Sequence, residues 1–304
     1  MATFDYKKII KRRAVRENIL RMLAFIPDKP MLKLQYWIKM GRRLNLKDPQ
    51  RFTEKLQWYK LYYRNPLMIS CVDKFEVREY VDAKGYRDIL NECYGVFDSF
   101  TDLVPERLPN QFVLKDTLGG GGNAVILCRE KSELDWHQIQ KQTEGWCRLP
   151  QVREGGREWP YYSGKKHRII AEEYLIPRLG GELLDYKFFC FQGKVAFVYV
   201  CSQRRGGQSV QIDLVSPDYE KLAVTRVGDE PTGTLPPKPD NFEEMIHIAE
   251  VLSADFPHVR VDLYSLDDAI RFGELTFFNA SGYMIYDPDQ FDMEVGEKFI
   301  LPTK

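Results

Sequence analysis

The spacing of apolar residues changes partway along this 304-residue chain. Up to about residue 85 they recur at helical intervals. "YKKIIKRRAVRENILRML" sets Ile9, Ile10, Val15, Ile19, Leu20 and Leu23 near one helical face, and Pro27 and Pro30 break it. "PMLKLQYWIKMGRRL" and "FTEKLQWYKLYYRN" predict two more short helices, with Thr53 as a cap for the second. "NPLMISCVDKFEVREYVDAKG" predicts one further helix, ending near Gly85. After residue 110, β-branched and aromatic residues come in short runs. "QFVLK", "NAVILC", "RIIAEEYL", "DYKFFCF", "KVAFVYVCS", "VQIDLVS", "HVRVDLY" and "FGELTFF" all predict strands, and Gln192-Gly193 a tight turn between two of them. "SELDWHQIQKQTEGW" predicts a helix among the strands, and "GDEPTGTLPPKPDN" a loop. A helix is predicted over 242–256, with Asn241 and Glu244 at capping-box spacing and Phe242, Met245, Ala249, Leu252 and Phe256 as its buried stripe. The expected class is α+β, with a helical front and a mostly antiparallel body.

Composition mainly excludes. The longest apolar run, Val195–Cys201, is too short to cross a bilayer. Arg21 interrupts the apolar patch of the basic start, so no signal core is evident, and a cytoplasmic protein is expected. Six cysteines and four histidines show no metal or redox spacing, which predicts free, buried thiols. A net charge of zero conceals an asymmetry: residues 1–65 hold 17 Lys/Arg and 5 Asp/Glu. Such a leader suits an anionic contact, a membrane surface, a nucleic acid or an acidic glycan, or else packs as a solvated face on the acidic body.

The chemistry concentrates in five stretches. "FVLKDTLGGGGNAVILC" places Gly119, Gly120, Gly121 and Gly122 between two strands, just after Lys115. It fails the P-loop pattern, because no lysine follows the last glycine, and as a dinucleotide fingerprint it opens a strand where that motif needs a helix. What remains is a bare hairpin-like loop whose N–H groups can approach phosphates, or an ordinary glycine-rich turn. "AEEYL" points Glu172 and Glu173 to opposite sides of a strand, and "DYKFF" puts Asp185 and Lys187 on one face. In "HVRVDLY", Arg260 and Asp262 share a face, as do Glu274 and Thr276 in "FGELTFF". If those two strands pair, two carboxylates and a hydroxyl meet beside an arginine, a set of hard oxygen donors suited to Mg²⁺.

Taken in order, "DKFEVREYV", "FVLKDTLGGGGNAV", "EEYL", "DYKFFCFQGK", "RVDLY" and "FGELTFFNASG" resemble the ATP-grasp superfamily, and within it the TupA-like branch of polysaccharide biosynthesis. The resemblance spans roughly residues 50–300 and implies ATP held between two α+β lobes. It divides the chain into a basic helical region (1–65), a helical segment (66–110), a lobe with the glycine flap (111–175) and a second lobe with the Mg²⁺ site (176–304). It implies that Lys74, Lys115 and Lys187 contact phosphates beneath the glycine flap. Glu172 and the backbone of Glu173, Tyr174 and Leu175 would hold adenine, with an acid such as Asp185 nearby. Asp262 and Glu274 would bind Mg²⁺, with Arg260 facing the reacting centre. Many relatives end the metal motif in E-x-N. Here Thr276 occupies the third position and Asn279 follows three residues later, facing the other way by strict alternation.

The activity implied is an ATP-dependent carboxylate–amine ligase working through an acyl phosphate. The substrates implied are a hexuronic acid, in a glycan or a nucleotide sugar, and a small amine. Arg204 and Arg205 in the basic loop "SQRRGGQS" are candidates to grip the acid. The basic leader would hold the enzyme near an anionic membrane face, and no nucleic-acid partner is expected. A sugar kinase on the same scaffold, or a glycan- or membrane-binding adaptor with a vestigial nucleotide site, are the competing readings.

Overall fold

The computed structural model describes residues 19–20, 22–120, 124–148, 156–177, 182–202, 210–266 and 269–303. Helix α1 (Asp28–Met40) starts directly after Pro27. Pro30 lies inside its first turn, where a missing N–H is harmless, so only Pro27 marks a boundary. The helix ends on Gly41, whose φ of 67° lets its N–H close on the Trp37 carbonyl at 3.0 Å. In α2 (Phe52–Tyr62) the expected cap fails, because Thr53 already lies within the helix. Glu54 does that work, accepting from the N–H groups of Gln50 at 3.1 Å and Arg51 at 3.3 Å. The Thr53 hydroxyl instead joins Asp292 and Tyr36, both at 2.8 Å.

The single helix predicted up to Gly85 splits into α3 (Leu67–Cys71) and α4 (Val77–Ala83). Asp73 explains the break. Its Oδ1 accepts from the N–H groups of Phe75 at 2.9 Å and Glu76 at 3.0 Å, which offers the backbone an alternative to helix. The Lys74 N–H donates to the Thr117 carbonyl at 2.9 Å, so the break places Lys74 against the glycine loop.

A four-stranded antiparallel sheet forms the smaller lobe: β1 (Cys93–Phe97), β2 (Phe112–Asp116), β3 (Val125–Cys128) and β4 (Ile169–Glu173), in the order β1-β4-β2-β3. Strand β1 corrects the expectation of a helical segment over 66–110. It is an edge strand with a register shift between Cys93 and Gly95, made by pairing to β4 rather than by local pattern. Helix α5 (Trp136–Cys147) begins at Asp135, whose carboxylate accepts from the N–H groups of His137 and Gln138. It supplies Ile139 and Trp146 to a core with Phe112, Leu114, Ile169 and Ala171.

The larger lobe is built on β5 (Asp185–Phe191), β6 (Lys194–Ser202), β7 (Gln211–Val215), a short β8 (Thr225–Arg226), α6 (Phe242–Ser253), β9 (His258–Leu266), β10 (Ala269–Thr276), a short β11 (Tyr286–Asp287) and α7 (Gln290–Lys298). Its main sheet is antiparallel in the order β10-β9-β5-β6-β7, and β8 pairs with β11. Gln192 and Gly193 take φ of 50° and 73°, the left-handed pair that suits a two-residue hairpin. The α6 stripe is buried as expected, Phe256 just beyond the helix included. Asn241 does not cap it; its Oδ1 accepts from the Ser265 hydroxyl at 3.0 Å. The core reaches from this sheet into α2 and α7, with Phe52 edge-on to Phe189, Phe191 and Phe299. The six cysteines are all free thiols, four of them buried.

Candidate active site

Register brings the second-lobe candidates together. Lys187 on β5 pairs with Asp262 on β9, and Asp262 pairs with Glu274 on β10, a row across three neighbouring strands. One pair further, Arg260 lies opposite Thr276. Strands about 4.8 Å apart put such rows within side-chain reach. A bulge at Gly273 keeps the register. A Cβ there would lie 2.9 Å from the Asp262 carbonyl oxygen and 3.2 Å from its Cβ, so only glycine allows β10 this close. The alternate β9 residues Val259, Val261 and Leu263 are fully buried in the core of the sheet.

Arg260 is the hub. Its guanidinium donates to both oxygens of Asp262, at 2.6 and 2.7 Å, to Glu274 Oε1 at 2.8 Å, to the Thr276 hydroxyl at 3.0 Å, and to Asn279 Oδ1. The Thr276 hydroxyl donates to Glu274 Oε1 at 3.0 Å. Lys187 bridges Asp185 at 2.7 Å and Asp262. Asn279 corrects the alternation argument. The strand stops at Thr276 and a tight turn follows over Asn279–Gly282, which carries the amide back to Arg260.

Lys74, carried by the turn between α3 and α4, and the start of the glycine loop face this cluster. A narrow cleft is lined by Lys74, Val77 and Gly119 on one side and by Tyr161, Gly273 and Glu274 on the other. The Lys74 ammonium donates to the carbonyls of Asp116, at 3.1 Å, and Gly119. Lys115 and Glu172 project from the sheet face opposite its core and pair at 2.7 Å, with Arg78 3.6 Å from the same carboxylate. Glu173 points the other way and accepts from the Glu92 N–H at 3.4 Å. Beyond β4, the Tyr174 hydroxyl accepts from Arg129 at 3.2 Å, and Leu175 follows in the same irregular stretch. Gly120 is described, whereas Gly121, Gly122, Arg204 and Arg205 lie outside the described residues.

The electrostatics follow from burial and mixed charge. Burial would raise the Glu274 carboxyl, but Arg260, then Lys187 and Lys74, outweigh it and hold it at about 2. Burial pulls the Lys74 ammonium below its usual range, against the attraction of Glu274 and Asp116. Lys187 is raised, because Asp185 and Asp262 overcome its burial. Burial raises the Asp262 carboxyl against the pull of Arg260 and Lys187, so the site sets cations and carboxylates against one another in one cluster.

The donor set fits Mg²⁺. Asp262, Glu274 and Asn279 offer hard oxygens from adjacent elements, and Glu274 makes its polar contacts among the described residues through Oε1, with 41% of its side chain exposed. Among the described residues no three His, Cys, Asp or Glu side chains form a metal cage. Mg²⁺ rarely uses an all-protein cage; it commonly binds through one or two carboxylates with water and phosphate oxygens.

Sequence reasoning missed Arg78 and Tyr161. Arg78 stands four residues after Lys74 inside "DKFEVREYV", so its signal was present. Tyr161 sits in a short turn, Trp159–Tyr162, with no periodic pattern to mark it.

A family model of TupA-like ATP-grasp proteins matches residues 54–300. No curated protein matches. Among solved structures, D-alanine–D-alanine ligase from Bacillus anthracis aligns at 15% identity with a TM-score of 0.44, over 75% of this chain and 67% of that one. L-amino acid ligase from Bacillus licheniformis gives 15% and 0.44, over 85% and 55%. The ADP complex of PurK, an N5-carboxyaminoimidazole ribonucleotide synthetase, gives 15% and 0.44, over 83% and 57%. The chain thus spans little more than half the length of the latter two. The family match covers both lobes and every candidate position from Lys74 to Asn279, and the chain belongs to the TupA-like ATP-grasp family.

Proposed function

We propose that this protein is an ATP-dependent carboxylate–amine ligase that amidates a hexuronic acid of a surface polysaccharide with a small amine, such as an amino acid or amino alcohol. The observation that carries the reading is the meeting, at one cleft, of Lys74 and the start of the glycine loop with Glu274, the outer member of the Lys187–Asp262–Glu274 row.

In this reading the triphosphate of ATP lies under the glycine loop, with Lys74, Lys115 and Lys187 against its oxygens. Asp262, Glu274 and Asn279 would hold Mg²⁺, which supplies charge neutralisation to the phosphates. The substrate carboxylate attacks the γ-phosphorus, and the bond to the bridging oxygen breaks to release ADP. The amine then attacks the acyl carbon, loses a proton, and phosphate leaves. Arg260 would steady the charge on the transferring phosphoryl group. The cations need no proton transfer for this, which suits a site whose work is positioning and charge. The glycine loop would shut water away from the acyl phosphate. The choice of a uronic acid rests on the family branch.

ADP release is to be screened with uronic acids or their glycans crossed with amino acids, and then repeated with hydroxylamine. A hydroxamate that depends on ATP and the acid is expected. ADP release with a stable phosphate ester and no hydroxamate would establish a sugar kinase instead.

A further inference from the structure

Several apolar side chains near the N-terminus are exposed among the described residues. Of the large hydrophobic residues exposed among the described residues, five lie between positions 19 and 37: Ile19, Met22, Phe25, Leu34 and Trp37. Phe25 is 81% exposed, Met22 76% and Trp37 58%. The opposite side of α1 is already used, since Met31, Leu32, Tyr36 and Met40 are buried. Leu34 and Trp37 therefore form a second apolar face, pointing outward at an i, i+3 spacing.

The surroundings are cationic. Lys29 and Lys33 are exposed beside this face and make no ion pair among the described residues. Residues 1–43 hold 12 Lys/Arg and 3 Asp/Glu, and the only acid between 19 and 43 is Asp28. Arg157 holds that acid at 3.1 Å.

The presentation is anchored from within. Arg157 is 2% exposed with a φ of 54°, and its guanidinium donates to the carbonyls of Ile26 at 2.6 Å and Leu23 at 2.7 Å. A buried arginine thus clamps the turn that exposes Phe25. Tyr161, four residues on, lines the cleft, so this surface and the cleft share one segment.

We propose that residues 19–37 are a docking surface for an anionic lipid bilayer. Met22, Phe25, Leu34 and Trp37 enter the boundary between headgroups and acyl chains, and Lys29 and Lys33 face the headgroup phosphates. An exposed tryptophan and aliphatic residues flanked by lysines match that boundary, where an aromatic ring and a cation are both satisfied. A nucleic acid would match the lysines and leave the apolar face unused. Docking needs neither ATP nor turnover, so it stands or falls separately from the ligase reading.

The test is co-sedimentation of the full chain with vesicles of phosphatidylcholine alone and of phosphatidylcholine mixed with phosphatidylglycerol. Binding is expected only with the mixture. It should fall about tenfold or more in a Phe25→Ser/Trp37→Ser double variant and in a Lys29→Glu/Lys33→Glu double variant. All four side chains are exposed, so neither variant should shift the melting temperature. Quenching of tryptophan fluorescence by brominated acyl chains should drop in Trp37→Phe while binding persists. Equal binding to both vesicle types, or unchanged binding in either double variant, would overturn the proposal. So would a dimer that Trp37→Ser dissolves, because the face would then belong to a second copy.

Discussion

At the scale of single residues, Lys187 and Glu274 divide the work differently. Lys187 is buried between Asp185 and Asp262. Its removal takes the shared cation from two buried carboxylates, of which Asp262 keeps Arg260. Breaking a buried ion pair typically costs about 3–5 kcal/mol, so Lys187→Ala should lose both stability and turnover. Glu274 is partly exposed and opens onto the cleft, so it gives the cleaner variant. Glu274→Gln is expected to lower the melting temperature less than Lys187→Ala does and to lose about 100- to 1000-fold in kcat, measured as ADP release. His258 makes a separate prediction, on pH. It is fully buried, donates from Nδ1 to the Cys190 carbonyl at 2.9 Å, and is pushed down by burial to about 3. Above the ordinary histidine value neither folded nor unfolded chain is charged there, and this contribution is intact. As pH falls the unfolded chain binds the proton first, so stability is lost until the folded value is passed. Urea unfolding at pH 7 and pH 5 should show a loss of roughly 2 kcal/mol from this group. His258→Phe should flatten that dependence, and an unchanged slope would remove His258 as its source.

At the scale of elements, the strands were legible and the breaks between helices were not. "HVRVDLY" and "FGELTFF" alternate cleanly, and their pairing placed Arg260, Asp262, Glu274 and Thr276 together as the pattern predicts. Asp73 hid a break inside an apolar run of helical period, because its turn is fixed by bonds to Phe75 and Glu76 that periodicity does not register. Strand β1 was illegible for a related reason: "CYGVF" gains its conformation from β4 across the sheet. Asn279 was misplaced because alternation was carried past the end of its strand. Gly273 sharpens the point. Its Gly273→Ala variant must push Asp262 aside, and a loss of about 1–3 kcal/mol with reduced turnover is expected from urea unfolding and ADP release. Retention of both would mean that the bulge does not position the Asp262 carboxylate.

At the scale of the whole molecule, the smaller lobe keeps a core of its own, helices α2 to α4 share that of the larger lobe, and α1 packs Leu32, Tyr36 and Met40 against Trp58 in a third cluster. Backbone packs on backbone where α7 meets the start of α2. A Cβ on Gly296 would lie 2.0 Å from the Gln50 carbonyl oxygen. Gly296→Ala should therefore lower stability by more than about 3 kcal/mol, a defect in assembly rather than in chemistry. Where the glycine loop of the smaller lobe meets the larger one, a cleft is lined by Lys74 and Gly119 on one side and Glu274 on the other. Calorimetric titration with a non-hydrolysable ATP analogue, with and without Mg²⁺, asks directly whether that cleft holds the nucleotide. Binding that requires Mg²⁺ in the wild type and weakens at least about tenfold in Glu274→Gln is predicted. An absence of binding, or equal Mg²⁺-independent affinity in both proteins, would contradict it.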